Sequence, residues 1–401
     1  MCAGGDVIQF INRNAEGGIT VKIHIRARKE EGWAQRPPDV CTTCVPPSSG
    51  AQEIVRTALH EFGPAPGLSR AATGGKLATP RDSSLSATDK ACLRQLDPFY
   101  VGWLETEFEM NLLEMHVAQT TEGVQRYSAD HDHPEEAWNE EERYGKPYVF
   151  QSVVALQSTY EKTETYPGNV EVVASEGRRL AHMSQNSRYE WQPPVFFGED
   201  VGGQPGFMQS NIGAKGDFEV IVPLLQGGLA HYRRLNNEIK PKWERELVFG
   251  QPHRYQSASV LQNPKTGMFE IVARSGNELH YYAYDFTRSV NPHAIPRTVI
   301  FTQAAGEPGW MYSRRRGRLE ALVASTAGGV SYVFDTHGDY GDWAETRLWE
   351  TEAFRPAAVR MLESERYARL EAVGIWQGAA YYFAQAYDTG SWERPFKAVK
   401  L

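Results

Sequence analysis

Apolar residues along most of this chain come in short runs, roughly four to seven long, broken by Gly, Pro, Asn or Asp, as strands separated by turns would be. One run recurs six times: an apolar position, a glutamate, then further apolar residues. It reads LLEMHV at Glu114, NVEVVA at Glu171, DFEVIV at Glu219, MFEIVA at Glu270, RLEALV at Glu320 and RLEAVG at Glu371. The period is roughly 50 residues, the size of a propeller blade. Upstream of each lies a strand-like segment: FYVGWLE, SVVALQS, GFMQSNI, ASVLQNP, GWMYSRR and AVRMLES. About a dozen residues downstream of each glutamate comes a second apolar and aromatic segment: VQRY, LAHM, LAHY, LHYY, VSYV and AAYY. A last segment follows, opened by Trp138, Trp191, Trp243, Trp343 and Trp392 in five repeats, with PRTVIF in the fourth.

Four short strands in each repeat make one antiparallel sheet with two apolar faces. A single such sheet cannot bury both. Six set radially cover one another and leave only short edges. The pattern predicts a mainly β chain with a six-bladed β-propeller over 98–401, seven blades being the other count considered. Closure has two readings. If each blade begins at the upstream strand, the ring closes by side-chain packing. If it begins at the glutamate strand, residues 99–104 supply the missing strand of the last blade. The second is expected, because it ties the termini together.

Composition narrows the function. Hydrophobic residues make up 41% and charged residues 23% of 401, as in ordinary globular domains. The net charge of -8, with no long basic block, argues against nucleic acid, whose phosphates need a clustered positive field. No run approaches the roughly 18 apolar residues of a membrane span, and the first residues lack the pattern of a secretion signal. Aromatic residues are abundant, with 10 Trp, 19 Tyr and 17 Phe.

The phrases GQPGFMQSNIGAKGDFEVIVP, GGLAHYRRLNN and KPKWERELVFG carry a pattern that resembles the blades of bacterial and fungal propeller lectins of the fucose-binding kind. The resemblance covers about 98–401 and is closest in the third repeat. It implies glycan or glycoprotein partners, held in clefts between neighbouring blades, and an extracellular setting. Sugars stack apolar C–H faces on aromatic rings and need fixed polar partners for their hydroxyls. The candidates are Arg126, His182, His231, Tyr281, Tyr332 and Tyr381 on the third strand, beside Trp138, Trp191, Trp243, Trp343 and Trp392. Each ring also suits blade-to-blade core. For the repeated glutamate the plainest role is to hold a neighbouring turn through backbone N–H groups.

Residues 51–70, AQEIVRTALHEFGPAPGLSR, and 85–98, LSATDKACLRQLDP, resemble a metzincin-type zinc protease. That family presents H-E-x-x-H-x-x-G-x-x-H, with the Glu as general base on a zinc-bound water. His60, Glu61 and Gly67 fit. The second and third ligand positions are Pro64 and Arg70, and Pro66 would further break the ligand helix. The resemblance therefore implies a degenerate α+β remnant over 1–97, partly disordered, with Glu61 a relict base and His60 the one surviving motif ligand. No cofactor is expected, with zinc only if that site functions. Cys41-Thr-Thr-Cys44 with His60 or Cys92 is a second metal reading.

Two more motifs stand out. HDHPEE at 131–136 reads as a solvated loop between strands, with metal binding the sharper alternative. RRRGR at 314–318 reads as a surface turn, or as a site for a carboxylated or sulfated glycan. The leading expectation is a lectin-like propeller attached to an inactive peptidase remnant. The alternatives are a working zinc endopeptidase with a glycan-targeting propeller, and a protein-interaction propeller whose inter-blade clefts are filled by side chains.

Overall fold

A computed structural model describes residues 7–13, 19–25, 27–29, 32–34, 101–106, 112–118, 122–288, 295–337, 341–349, 354, 356–364, 366–386 and 390–401. The chain divides into two units, Met1–Pro98 and Phe99–Leu401. In the first, Val7–Arg13 pairs antiparallel with Ile19–Ile25, and Ala27–Lys29 with Gly32–Ala34. The peptidase-like segments, with His60, Glu61 and the cysteine pair, lie outside the described residues.

The second unit is a six-bladed β-propeller. Its described residues form six four-stranded antiparallel sheets, each with its strands in chain order or the reverse of it. Blade 1 runs Val101–Thr106, Leu112–Ala118, Val124–Asp130 and Asn139–Tyr144. Blade 2 runs Ser152–Gln157, Val170–Glu176, Arg179–Gln185 and Val195–Phe197. Blade 3 runs Gly206–Gln209, Phe218–Pro223, Leu229–Arg234 and Trp243–Phe249. Blade 4 runs Ser257–Gln262, Phe269–Ser275, Glu278–Tyr284 and Arg297–Phe301. Blade 5 runs Gly309–Ser313, Arg318–Ala324, Val330–Asp335 and Trp343–Leu348. Blade 6 runs Ala358–Glu363, Leu370–Trp376, Ala379–Ala384 and Phe396–Lys400.

Each blade is sandwiched between two others, so its second strand is buried on both faces. That is why these strands read as continuous apolar runs rather than alternating ones. Phe218–Pro223 is buried at every position, whereas the outer strand Asn139–Tyr144 keeps only its last residue buried. Burying each Val, Leu or Ile stabilises the ring by about 1.5–3 kcal/mol before the cost of ordering the chain. The core is accordingly a series of clusters between blades; Ile221 and Leu229 of blade 3 meet Phe269, Ile271 and Tyr282 of blade 4.

Closure follows the other reading. Val101–Thr106 is the inner strand of blade 1, and all four strands of blade 6 come from the C-terminal end of the chain. The ring closes through side chains. Val101, Trp103 and Trp138 pack with Val373, Ile375 and Tyr382. Arg360 of blade 6 donates from Nε to the Val101 carbonyl at 3.1 Å.

The blades also alternate, which six equal repeats do not predict. Gly102, Gly206 and Gly309 lie on the inner strands of blades 1, 3 and 5. A Cβ at Gly206 would sit 2.8 Å from the Ser259 Cα, and one at Gly309 2.9 Å from the Met361 amide nitrogen. Just before the inner strands of blades 3 and 5 the backbone bridges to the next blade: the Ala258 N–H donates to the Gln204 carbonyl and the Val359 N–H to that of Glu307, each at 3.0 Å. The absent side chain lets inner strands approach this closely. The ring is thus three tight pairs of blades.

Candidate functional site

The clefts between neighbouring blades are built alike. At the floor of each lies the repeated glutamate of the second strand; all six are 0–1% exposed. Two positions before its cross-strand partner, the third strand presents a polar residue on the same face. From the next blade, a residue at or ahead of the start of the outer strand brings an aromatic ring to the same place.

Between blades 1 and 2, Arg126 donates from Nε and Nη2 to Glu114 at 3.0 and 2.7 Å. His116 donates from Nε2 to Glu114 and accepts the Tyr144 hydroxyl at Nδ1. Burial alone would push Glu114 up, but His116 and Arg126 together bring its carboxyl down to about 2. Burial lowers His116, against the pull of Glu114. Trp191 stacks on Tyr144 at 3.5 Å and donates to Glu142 at 2.8 Å.

Between blades 2 and 3, His182 bonds Glu171 at 2.8 Å, with Trp243 5.5 Å away and stacked on Phe197 at 4.2 Å. Between blades 3 and 4, His231 bonds Glu219 at 2.8 Å. Here burial prevails over His231, Ser210 and Arg233, and the Glu219 carboxyl is raised. The same position is thus shifted in opposite directions in these two clefts: His116 and Arg126 both hydrogen-bond Glu114, whereas Glu219 is bonded by His231 and Ser210 with Arg233 further off at 3.6 Å. Phe286 fills the place of the missing tryptophan, stacked on Phe269 with His231 at 4.8 Å.

Between blades 4 and 5, the Tyr281 hydroxyl donates to Glu270, which also receives Asn263 Nδ2 at 2.8 Å. Trp343 lies 5.5 Å from Tyr281. Between blades 5 and 6, Arg316 and Arg318 share Glu320 beneath Tyr332, with Trp392 6.1 Å from that ring. Between blades 6 and 1, Arg369 donates to Glu371 at 2.9 Å and to the Tyr382 hydroxyl at 3.1 Å. Trp138 packs in the same cluster as Tyr382 and is buried.

Ten of the eleven sequence candidates therefore line these clefts. Tyr381 does not. Strand pairing sets Tyr381 opposite Gly374 and Tyr382 opposite Val373, which puts Tyr382 on the glutamate face. Tyr381 faces the other side, against Phe354 and Trp376. Two adjacent tyrosines hide which one faces inward until register is known. The glutamates also differ from expectation: they bind side chains, and reach the turns at one remove. Glu171 and Glu219 accept from Ser158 and Ser210, whose hydroxyls in turn accept the Tyr160 and Ile212 N–H groups.

The loop at 131–136 is only partly solvated. His133 is exposed, but His131 is 1% exposed and inserts between Glu371 and Glu105. Burial opposes its charge, yet these two carboxylates raise it to about 9. Beside it, Asp132 meets Arg366 and the Tyr367 hydroxyl. Among the described residues no group of three His, Cys, Asp or Glu side chains could hold a metal. A separate hollow of about 660 Å³ lies against the 210–217 hairpin, lined by Gln209, Asn211, Lys215 and Gln262 among others.

No protein-family model matches this sequence, and no curated protein matches it. Solved structures do share its fold. The BP39L lectin of Burkholderia pseudomallei superposes with a TM-score of 0.56 at 12% identity, over 74% of this chain and 83% of that one. AofleA of Arthrobotrys oligospora gives 0.54 at 11%, over 76% and 87%. The Aleuria aurantia lectin, solved with α-methyl-L-fucoside, gives 0.53 at 10%, over 74% and 95%. At such identities the likeness shows the fold alone. No helix among the described residues is long and apolar enough to cross a membrane.

Proposed function

We propose that the propeller is a carbohydrate-binding module that takes single sugar residues in its inter-blade clefts. The observation that carries this reading is the repeated cleft: a buried carboxylate, a polar third-strand residue and an aromatic ring from the next blade. In four of the five clefts served by tryptophan, the indole is only half-buried. A carboxylate accepts from vicinal hydroxyls, arginine and histidine donate to them, and an indole packs on the apolar sugar face. The lectins of matching fold support it, one of them solved with a methyl fucoside. Weak sites repeated around one ring give avidity on a glycosylated surface, which suits an extracellular protein.

The N-terminal segment is read as an inactive remnant of a zinc peptidase. Its donor set does not fit the metal: arginine and proline cannot ligate zinc, and a catalytic site takes three protein ligands. The full chain is expected to hold no stoichiometric zinc after dialysis.

A glycan array of the full-length chain tests the main reading. Saturable binding to one sugar class, competed by the free monosaccharide, is the expected result. A blank array from folded protein would overturn it and favour a protein-interaction propeller.

A further inference from the structure

The six clefts share a plan but not a charge. Between blades 1 and 2 one guanidinium, Arg126, faces two carboxylates, Glu114 and Glu142. Between blades 3 and 4, Arg233 likewise faces Asp217 and Glu219. Between blades 6 and 1, Arg369 and His131 face Glu371 and Glu105. The cleft between blades 5 and 6 departs from all of these. Arg316 and Arg318 both lie on one buried carboxylate, Glu320, at 3.3 and 2.8 Å.

The geometry holds this excess in place. Arg318 also donates to the Tyr332 hydroxyl at 3.2 Å and lies over Phe334, its guanidinium carbon 3.9 Å from the ring centre. Arg316 donates to the Tyr332 hydroxyl and, across the cleft, to Gln385 of blade 6. Burial keeps Tyr332 protonated, so it adds no negative charge. The hairpin carrying these arginines is pinned to blade 6, because Glu363 accepts the backbone N–H groups of Arg314 and Arg315. Each guanidinium has five N–H groups, and these bonds do not exhaust them. Both side chains are about a quarter exposed, Arg316 24% and Arg318 23%.

Glu363 is a second carboxylate at this hairpin, so Arg314, Arg315, Arg316 and Arg318 stand against Glu320 and Glu363; the balance is net positive, and Arg316 and Arg318, fixed and partly desolvated over Glu320, supply forked donors. That matches a carboxylate or sulfate on a sugar ring. We propose that the cleft between blades 5 and 6 selects an anionic saccharide, a uronic acid or a sulfated hexose, with Trp392 beside the ring. This rests on the carbohydrate-binding reading of the clefts and adds a charge preference to one of them.

The test is calorimetric titration of the full chain with glucuronate against glucose, and galactose 6-sulfate against galactose, at low and high salt. At least one anionic sugar should bind about tenfold tighter than its neutral counterpart, and the gap should shrink with salt. Whichever anion shows the gap identifies the group recognised. Arg316→Gln, which leaves Arg318 on Glu320, should abolish the gap. Glu320→Gln, which removes the opposing carboxylate, should widen it, and gives a second readout if the first variant fails to fold. Neutral sugars binding as well as anionic ones, or a gap that both variants leave unchanged, would overturn the charge preference while the lectin reading stands. If no sugar of either kind binds, the lectin reading itself fails.

Discussion

His131 gives the sharpest quantitative expectation for the ring. It belongs to blade 1, yet its Nε2 lies 2.9 Å from Glu371 of blade 6, and its Nδ1 3.1 Å from Glu105. It thus clasps the junction where the first and last blades meet without a shared strand. Its proton is held to about 9, against 6.5 for the free side chain. That difference corresponds to about 3 kcal/mol of stability. Glu105 is partly exposed, so solvent screening brings the expectation to about 2–3 kcal/mol. Because the folded value is raised, the contribution is complete below about 6.5 and is lost as pH rises through about 9. His131→Gln keeps the size and a donor but not the charge. Thermal unfolding of both full-length proteins from pH 6 to 10.5 checks it. At pH 7 the variant should melt roughly 3–5 °C lower, and the gap should close by pH 10.5. The difference between the two proteins is the readout, since lysines and tyrosines titrate in both. A gap that stays constant across this range, or is absent at pH 7, would refute the reasoning.

Other expectations follow from the same geometry. Glu114, its carboxyl held near 2, contributes stability that is present above about 4.5 and lost as pH falls through about 2; Glu114→Gln should flatten the acid limb of the melting curve there, and an unchanged limb would contradict the assignment. Gly206→Val places a side chain against the Ser259 backbone and should cost about 3 kcal/mol or prevent folding, measured by urea unfolding; a variant as stable as the parent would disprove the close approach of blades 3 and 4. Trp243→Ala removes the ring beside His182 and should lower the sugar-binding stoichiometry by one site per chain, read by titration.

Much of this architecture is legible in the chain. The glutamate run repeats because every blade needs the same strand buried on both faces, and the outer strands are polar because they meet water. Blade number, strand number and the polar and aromatic pairing at the clefts all follow from that periodicity. The alternation of blades was also written there, in the glycines of FYVGWLE, GFMQSNI and GWMYSRR, each absent from the repeat that follows it. Its meaning depends on which backbone lies opposite, and that is a property of the ring.

The sequence by itself determined the repeat, its strands and the residue types at each cleft. Tertiary structure decided register, closure and charge. Register chose Tyr382 over Tyr381, since a shift of one residue reverses a strand's faces and two adjacent tyrosines look alike in either register. Closure placed His131 against Glu371 although 240 residues separate them, and so turned an apparent surface loop into a buried clasp. Charge followed from which side chains converge: Arg126 and Arg318 occupy similar clefts, but one meets a second carboxylate and the other a second arginine. Local periodicity specifies each blade because strand and turn patterning is set by residues close in sequence, whereas electrostatic balance depends on neighbours that only the folded ring brings together.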